Sequence, residues 1–383
     1  MTPTLTSRLP GVGTTIFTVM SRLAQEHRAI NLAQGFPSFE PPARLRELVA
    51  RHALEGPNQY APMSGWPALC EAIAHKAERL YGRRVSPDRE VTVTCGGTEA
   101  LSCAIQAVVH PGDEVVLLDP AYDSYEPIAR LCGGVVRHVP LARPGFGIDW
   151  QRLADALTER TRLLVVNTPH NPTGACLAAA DLGRLAELLR PTRAFLLSDE
   201  VYEHMVFDGA RHASVLSHPE LAARAFVVSS FGKTYHATGW KIGYCIAPPP
   251  LTAELRKLHQ YVTFSIATPL QRALADFMVE HPEWEQELPA FYQERRDRLG
   301  ALLAGSRLRL EPARATYFQL VDYSAVSTAK DTDFAAELIR RAGVVTIPVS
   351  PFCEAPPEER LLRLCFAKDD DVLEAAAERL RAL

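Results

Sequence analysis

Residues 196–202 read LLSDEVY and residues 225–233 read AFVVSSFGK, and both are apolar, β-rich runs that end near a charged side chain. Similar runs alternate with helical patterns, such as Ala100–Val109 and Asp181–Leu189, from about residue 90 to residue 250. This alternation predicts an α/β fold in which helices cover both faces of a mainly parallel, seven-stranded sheet. The predicted strands are Val91–Thr94, Glu114–Leu118, Gly134–Val139, Leu163–Asn167, Ala194–Ser198, Ala225–Ser229 and Lys241–Ile246.

The pattern changes after Pro269, where a long helical region extends to about Ala304. Later β-rich segments and a terminal helix predict a smaller α+β domain. The first thirty-odd residues have weak periodicity and are expected to pack against it. We therefore predict an N-terminal segment 1–35, a large domain 36–280 and a small C-terminal domain 281–383. The elements predicted for the small domain are Thr316–Val321, Val344–Pro348, Leu361–Phe366 and the helix Asp370–Leu383.

The composition of the 383 residues is that of a globular protein, with 22% charged residues and a formal net charge of −4. Charges of both signs are mixed along the chain, which argues against nucleic acid or an anionic membrane as a partner. The eight cysteines form no C-x-x-C pair, so no metal site is predicted and buried, reduced thiols are expected. Neither a signal peptide nor an apolar run of membrane-spanning length is present, and we expect a cytoplasmic protein.

Lys233 is the first candidate for chemistry, because an apolar strand delivers it into a small-residue turn. Most lysines are solvated surface groups, so a role as a Schiff-base nucleophile requires a pocket that lowers the pKa of this one. Asp199 ends the neighbouring run, where it is either an ion-pair or capping residue or the counter-ion of a protonated pyridine nitrogen. Tyr202 can reach the same ligand if the chain turns into a helix after Asp199.

Loops at other predicted strand ends carry further candidates. Asn171 lies in the rigid turn NTPHNPTG, where its amide either bonds its own turn or donates to a phenolic oxygen of a ligand. Gly96 and Gly97 precede a helix whose N-terminus can bind an anion, although they fit neither the dinucleotide nor the P-loop pattern. Lys241 can add a charge for a phosphate, and Tyr122 can stack on a pyridine ring. The joint order of these residues, rather than any one of them, indicates a pyridine cofactor that carries a phosphate.

The stretches NPTG, SDEVY and SFGKTYHATGWKIGY together resemble the class I aminotransferases of fold type I. The resemblance extends over nearly the whole chain, from NLAQGFPSFEPP to RLLRLCFAKDD. NQYAPMSGWPAL, DPAYDSYEP and RLCFAK resemble the branch with kynurenine aminotransferase and glutamine transaminase K, and within it the bacterial methionine aminotransferases. The resemblance implies pyridoxal 5′-phosphate as the cofactor and ping-pong transfer of an amino group from methionine-like or aromatic amino acids to a 2-oxo acid. It also implies a homodimer with shared active sites.

The resemblance implies roles for individual residues as well. Lys233 would carry the cofactor, Asp199 would pair with the pyridine nitrogen, Tyr202 and Asn171 would hold the ring oxygen, and Tyr122 would stack on the ring. The phosphate would be held by Gly97, Thr98, Ser230 or its neighbour Ser229, Lys241, and Tyr60 of the neighbouring subunit.

The same resemblance implies how the substrate binds. Arg363 would bind the substrate carboxylate, together with Asn171 and the backbone near Gly35. Its flanking leucines suggest that it is buried and needs an anion, although a surface ion pair is the alternative. Aromatic residues would surround the substrate side chain and would suit an apolar one, namely Phe17, Phe36, Tyr60 and Phe264.

Three other interpretations fit parts of the sequence. Ser230 and Lys233 match the S-x-x-K motif of penicillin-recognising acyl transferases, but the S-D-N and K-T-G partners are missing. A non-catalytic ligand sensor would need a DNA-binding domain, for which there is no room before residue 31. A kynurenine or glutamine transaminase with cysteine-conjugate β-lyase activity shares the cofactor but differs in its products.

Overall fold

A computed structural model describes residues 3–355 and 357–383 of the chain. The strands of this part of the chain are β1 Ile30–Asn31, β2 Val91–Thr94, β3 Glu114–Asp119, β4 Val135–Pro140, β5 Thr161–Asn167, β6 Phe195–Asp199, β7 Ala225–Ser230, β8 Gly243–Ile246, β9 Phe318–Asp322, β10 Val344–Val345, β11 Ile347–Pro348 and β12 Leu361–Cys365.

The α-helices are α1 Ile16–His27, α2 Ala43–Glu55, α3 Pro67–Tyr81, α4 Pro87–Glu90, α5 Gly96–Val108, α6 Tyr125–Leu131, α7 Trp150–Ala156, α8 Ala179–Leu189, α9 Pro219–Ala222, α10 Phe231–Thr234, α11 Pro249–Val262, α12 Thr268–Glu280, α13 Trp284–Leu303, α14 Asp331–Ala342 and α15 Asp370–Arg381. Short 3₁₀ helices lie at Val215–Ser217, Thr238–Trp240 and Ser350–Phe352.

The seven predicted strands form one sheet, in the order β2–β8–β7–β6–β5–β3–β4. All neighbouring pairs are parallel except those of β8, which runs antiparallel to both β2 and β7. The predicted α/β fold with a mainly parallel sheet is therefore confirmed. Most observed strand ends lie within one or two residues of the predicted ones, and β8 begins at Gly243 rather than at Lys241.

Burial explains why the central strands are apolar along their whole length. All residues of β3 and β7 are buried, because helices pack on both faces of the sheet. One apolar cluster lies on the face covered by α3 and α8, and a second lies under α5 and α11. The carboxyl ends of β5, β6 and β7 are adjacent, with Asn167 paired to Asp199, and this edge is where ligands bind on such sheets.

A third apolar cluster surrounds the C-terminal strands. The strands β11, β12 and β9 form an antiparallel sheet, and β1 from the N-terminal segment pairs in parallel with β10. The helix α1 packs on α14 and contributes Met20 and Ala24 to the same cluster. The N-terminal residues therefore share a core with residues more than three hundred positions away.

The predicted long helical region is broken in the structure. The helices α12 and α13 are separated by residues 281–283, which include Pro282. Proline lacks an amide hydrogen and disfavours a helical conformation in the residue before it, so α12 ends here. A helix long and apolar enough to cross a membrane does not occur among the described residues.

Candidate active site

A cavity of about 350 Å³ lies at the carboxyl edge of the large sheet, between that sheet and the C-terminal strands β9 and β12. This volume is in the range of small-molecule sites. Most of the residues predicted for the site line it, namely Phe17, Gly35, Gly97, Thr98, Tyr122, Asn171, Asp199, Tyr202, Ser230, Lys233, Lys241 and Arg363.

Lys233 lies in the short helix α10, directly after β7, and its Nζ projects into the cavity. This ammonium nitrogen donates to the carbonyl oxygen of Gly35 at 3.0 Å and to the hydroxyl of Tyr317 at 2.8 Å. Desolvation lowers the pKa of Lys233 from 10.5 to about 8. Some neighbouring charged groups raise this pKa and others lower it. A lysine that releases its proton near neutral pH is a competent nucleophile and base.

Asp199 ends β6 and is buried beside the cavity. One carboxylate oxygen accepts from the Tyr125 hydroxyl at 2.6 Å, and the other accepts from the Val201 amide at 3.3 Å. Burial raises the pKa of Asp199 to about 6, and these hydrogen bonds offset only part of that rise. A buried carboxylate with only neutral donors as partners is suited to a cationic ligand atom.

The other end of the cavity suits an anion. Gly96, with φ of +70°, and Gly97 begin α5, so backbone amides and the positive end of the helix dipole face the cavity. A Cβ atom at Gly96 would lie 3.4 Å from Nζ of Lys241, which places this ammonium beside the loop. Gly243 allows β8 to pass the loop, because a Cβ atom there would lie 2.9 Å from the Gly97 amide nitrogen.

The two serines that the sequence leaves open point in different directions. Successive residues of β7 face opposite sides of the sheet. Ser230 lines the cavity, whereas the hydroxyl of Ser229 donates to Glu203 in the protein interior. Ser230 is therefore the serine that is placed to bind a ligand.

Arg363 lies on β12 and lines the cavity opposite the large sheet. Its guanidinium is buried and donates to the side-chain oxygen of Asn171 at 2.8 Å and to the carbonyl oxygen of Ala33 at 2.6 Å. Its Nε has no hydrogen-bond partner among the described residues. Phe318 and Phe17 pack against the guanidinium, at 4.0 and 5.2 Å from their ring centroids. A buried guanidinium whose partners are neutral acceptors keeps an uncompensated positive charge, which can bind a carboxylate.

Three of the predicted residues lie outside the cavity. Tyr60 and Phe264 pack edge to face, with centroids 5.2 Å apart, on the exposed surface. Phe36 is also exposed, and the ammonium of Lys368 lies 4.8 Å from its ring. The structure therefore brings Phe17 to the cavity, but not Phe36, Tyr60 or Phe264.

The sequence-based reasoning missed several residues of the site. Tyr125 binds Asp199, Tyr317 binds Lys233, and Gln34 and Phe318 line the wall. Tyr125 lies three residues after Tyr122 in DPAYDSYEP, which is a spacing that could have drawn attention to it. Tyr317 and Phe318 lie at the start of β9 and have no comparable signal in the sequence.

The family of the chain follows from comparison with known proteins. A family model described as aminotransferase class I and II matches residues 27–380. The chain belongs to this family, whose members are enzymes that transfer amino groups with pyridoxal phosphate as cofactor. The acyl-transferase and sensor interpretations of the sequence are therefore wrong.

Individual relatives are similar over their whole length. Methionine aminotransferase of Escherichia coli is 55% identical, with 98% of each chain covered. A solved structure from the same organism, described as having a methionine aminotransferase function, superposes with a TM-score of 0.98 at 54% identity and covers 100% of each chain. N-succinyldiaminopimelate aminotransferase of Mycobacterium tuberculosis superposes with a TM-score of 0.95 at 38% identity, covering 99% of this chain and 100% of that one.

The residues of the cavity fit pyridoxal phosphate. An anion cradle lies at one end, a buried carboxylate whose hydrogen-bond donors among the described residues are neutral lies at the cavity wall, and an amine with a lowered pKa projects into the cavity. These groups match a phosphate, a pyridinium nitrogen and an aldehyde carbon, respectively.

Proposed function

We propose that this aminotransferase uses methionine-like and aromatic amino acids as donors. The observation that carries the proposal is the composition of the cavity wall, in which Arg363 is the one arginine among the described lining residues. Phe17, Tyr122 and Phe318 offer apolar and polarisable surface, which suits a thioether or an aromatic ring. A side-chain carboxylate would lack a second guanidinium there, at a cost of several kcal/mol. The similarity to methionine aminotransferase supports the same substrate class.

Each residue of the site has a proposed task. When bound, pyridoxal phosphate supplies an electron-withdrawing ring that stabilises negative charge at the substrate α-carbon. Lys233 removes the α-proton with Nζ and later returns it, as base and then acid. Asp199 keeps a proton on the ring nitrogen, and Arg363 orients the substrate by its carboxylate. The donor leaves as a 2-oxo acid. A second 2-oxo acid then reverses these steps and receives the amino group, so the kinetics are ping-pong.

The remaining residues are proposed to hold the cofactor. Asn171 and Tyr202 hold its phenolic oxygen, and Tyr122 stacks on the ring. Its phosphate is held by Gly97, Thr98, Ser230 and Lys241. Small-molecule sites commonly fix the orientation of a ligand in this way, with a few polar groups placed around an apolar wall.

We further propose a homodimer in which Tyr60 of each subunit reaches the phosphate of the other. The exposed position of Tyr60 and Phe264, outside their own cavity, supports this arrangement. We also propose a cytoplasmic location, which all eight cysteines support because they are free thiols. Cell fractionation tests the location.

The substrate proposal is tested by comparing kcat/KM for methionine, phenylalanine, kynurenine, glutamine and aspartate with one 2-oxo acid. We expect methionine or phenylalanine to exceed aspartate by about a thousandfold, since each ~1.4 kcal/mol is a factor of ten. Lys233→Ala is the control and should show no turnover. Equal or better use of aspartate would overturn the specificity, and turnover by Lys233→Ala would overturn the role of the lysine.

The alternative amino donors are kynurenine and glutamine. Human kynurenine–oxoglutarate transaminase 1 is 35% identical, with 98% of this chain and 97% of that one covered. A preference for kynurenine or glutamine over methionine in the same comparison would favour this class. Release of pyruvate and ammonia from a substrate with a good β leaving group would reveal elimination.

A further inference from the structure

A buried histidine–glutamate pair lies directly behind the anion cradle. Glu99 is in the first turn of α5, next to Thr98, and His259 is near the end of α11. Nδ1 of His259 lies 2.7 Å from a carboxylate oxygen of Glu99, and both side chains are at most 5% exposed. Neither residue lines the cavity, and the proposed function gives neither of them a task.

Each ring nitrogen of His259 lies within hydrogen-bond distance of an oxygen atom. Its second ring nitrogen, Nε2, lies 2.9 Å from the carbonyl oxygen of Met63. The imidazole thus bridges a carboxylate in the first turn of α5 and a carbonyl oxygen of residue 63. Burial raises the pKa of the Glu99 carboxyl, but hydrogen bonds from His259 and the Cys95 amide outweigh this and place the pKa below its ordinary value.

Glu99 connects this pair to the anion cradle of its own subunit. Its other carboxylate oxygen accepts a hydrogen bond from the backbone amide of Cys95, the residue that precedes α5. The first amides of a helix have no partner within the helix, and a side chain that binds one of them fixes the path of the chain. Glu99 therefore holds the loop that presents Gly96 and Gly97 to an anion.

His259 also connects the pair to residues 59–66, which we call the Tyr60 segment. Three alternate carbonyl oxygens of this segment accept hydrogen bonds from side chains in residues 259–268, and the segment is thereby held in one position. The pairs are Thr268 with Gln59 at 2.6 Å, Ser265 with Ala61 at 2.9 Å and His259 with Met63. Of these three side chains, His259 is the one that also binds the cradle helix.

We propose that His259 is a positioning residue that holds the phosphate cradle of its own subunit and the Tyr60 segment in a fixed relation. Because Tyr60 reaches the phosphate of the neighbouring subunit in the proposed function, on which this inference rests, His259 acts on both phosphate sites of the dimer. It does so through Glu99 on one side and through the Met63 carbonyl on the other.

The test is the retention of pyridoxal phosphate by the holoenzyme after dilution, measured as a dissociation constant. We expect His259→Gln to raise this constant about tenfold, which corresponds to about 1.4 kcal/mol. His52→Gln is the matched control, because His52 is also buried and its Nε2 lies 2.7 Å from Asp276. It joins α2 to α12 away from the cavity, so its dissociation constant should stay within about twofold of the wild type.

Glu99→Gln provides a second test, in which the direction of the change in cofactor affinity is decisive. This test does not depend on the folding of the histidine variant. If the charge of Glu99 merely repelled the phosphate, its removal would tighten cofactor binding. We expect weaker binding, since the amide disturbs both the cap on Cys95 and the contact with His259. Tighter binding by Glu99→Gln, or unchanged binding by a folded His259→Gln, would overturn the proposal.

The link to the Tyr60 segment is tested by a double-mutant cycle. In a Tyr60→Phe background, His259→Gln should weaken cofactor binding by a smaller factor than in the wild type, because part of its effect passes through Tyr60. Full additivity would contradict this link. A wild-type protein without cofactor or transamination would instead refute the proposed function itself, so the two failures are distinguishable.

Discussion

At the scale of single residues, Lys233 shows how burial makes an ordinary side chain reactive. Desolvation disfavours the ammonium form and lowers the pKa to about 8, while Gly35 and Tyr317 keep Nζ in place. Because the shift is downward, the neutral amine becomes abundant well below the ordinary pKa of 10.5. Burial thus favours the neutral form of this amine, which is the nucleophilic one.

This shift predicts the pH dependence of cofactor capture by the apoprotein. The rate of covalent capture of pyridoxal phosphate, followed by absorbance, should rise with pH and level off above about 8, since only the neutral amine attacks. Asp199 has a pKa of about 6 and also titrates below that plateau. Asp199→Asn therefore serves as the control, and its capture rate should still rise with pH and level off near pH 8. A rate that continues to rise beyond pH 10 would show that Lys233 is not desolvated.

Arg363 yields a prediction about the substrate carboxylate. Arg363→Lys should raise KM for every amino acid by about ten- to a hundredfold, because an ammonium cannot reproduce the planar two-point contact of about 1.5–3 kcal/mol. Its burial and its stacking on Phe318 also favour the flat guanidinium. Steady-state kinetics measure the change, and the thermal midpoint shows whether the variant is folded. Unchanged KM values would place the carboxylate site elsewhere.

At the scale of elements, the strands that carry the site could be predicted because their burial is visible in the sequence. The runs that end at Asn167, Asp199 and Ser230 are apolar on both faces and terminate in polar turns, which marks their ends. The sequence alone thus predicts that Lys233, Asp199 and Asn171 lie at one edge of the sheet. The edge position follows from the parallel order of the strands alone.

The sheets of the C-terminal strands are less predictable, because strands that pair in them are remote in the sequence. Residues 344–348 were predicted as one strand, but β10 pairs with β1 and β11 pairs with β12 in a different sheet. Thr346 lies where the chain passes from one sheet to the other. Tyr317 reaches Lys233 only because β9 is placed over the cavity by these pairings. Local periodicity contains no information about such long-range contacts.

At the scale of the whole molecule, one group of exposed apolar residues includes the Tyr60 segment and the end of α11. Tyr60 is 82% exposed, and Tyr261 and Val262 at the end of α11 are 89% and 59% exposed. Ser64 of this segment binds β2 through the Val93 amide, so the patch lies at the β2 edge of the large sheet. Exposed apolar patches of this kind mark interfaces, and this one adjoins the residue proposed to enter the neighbouring site.

The proposed dimer can be tested with two matched substitutions. Val262→Lys places an ammonium in the patch, and Val135→Lys places one at the opposite edge of the sheet, on β4, where Val135 is 51% exposed. We expect Val262→Lys to raise the dissociation constant of the dimer at least about tenfold, because burying a charge without a partner costs more than ~1.4 kcal/mol. Cofactor should be lost in parallel, since Tyr60 would leave the phosphate of the other subunit.

Val135→Lys should retain the mass and the cofactor content of the wild type in sedimentation and absorbance measurements. A wild-type protein that sediments as a monomer while retaining its cofactor, or equal behaviour of the two variants, would contradict the shared site.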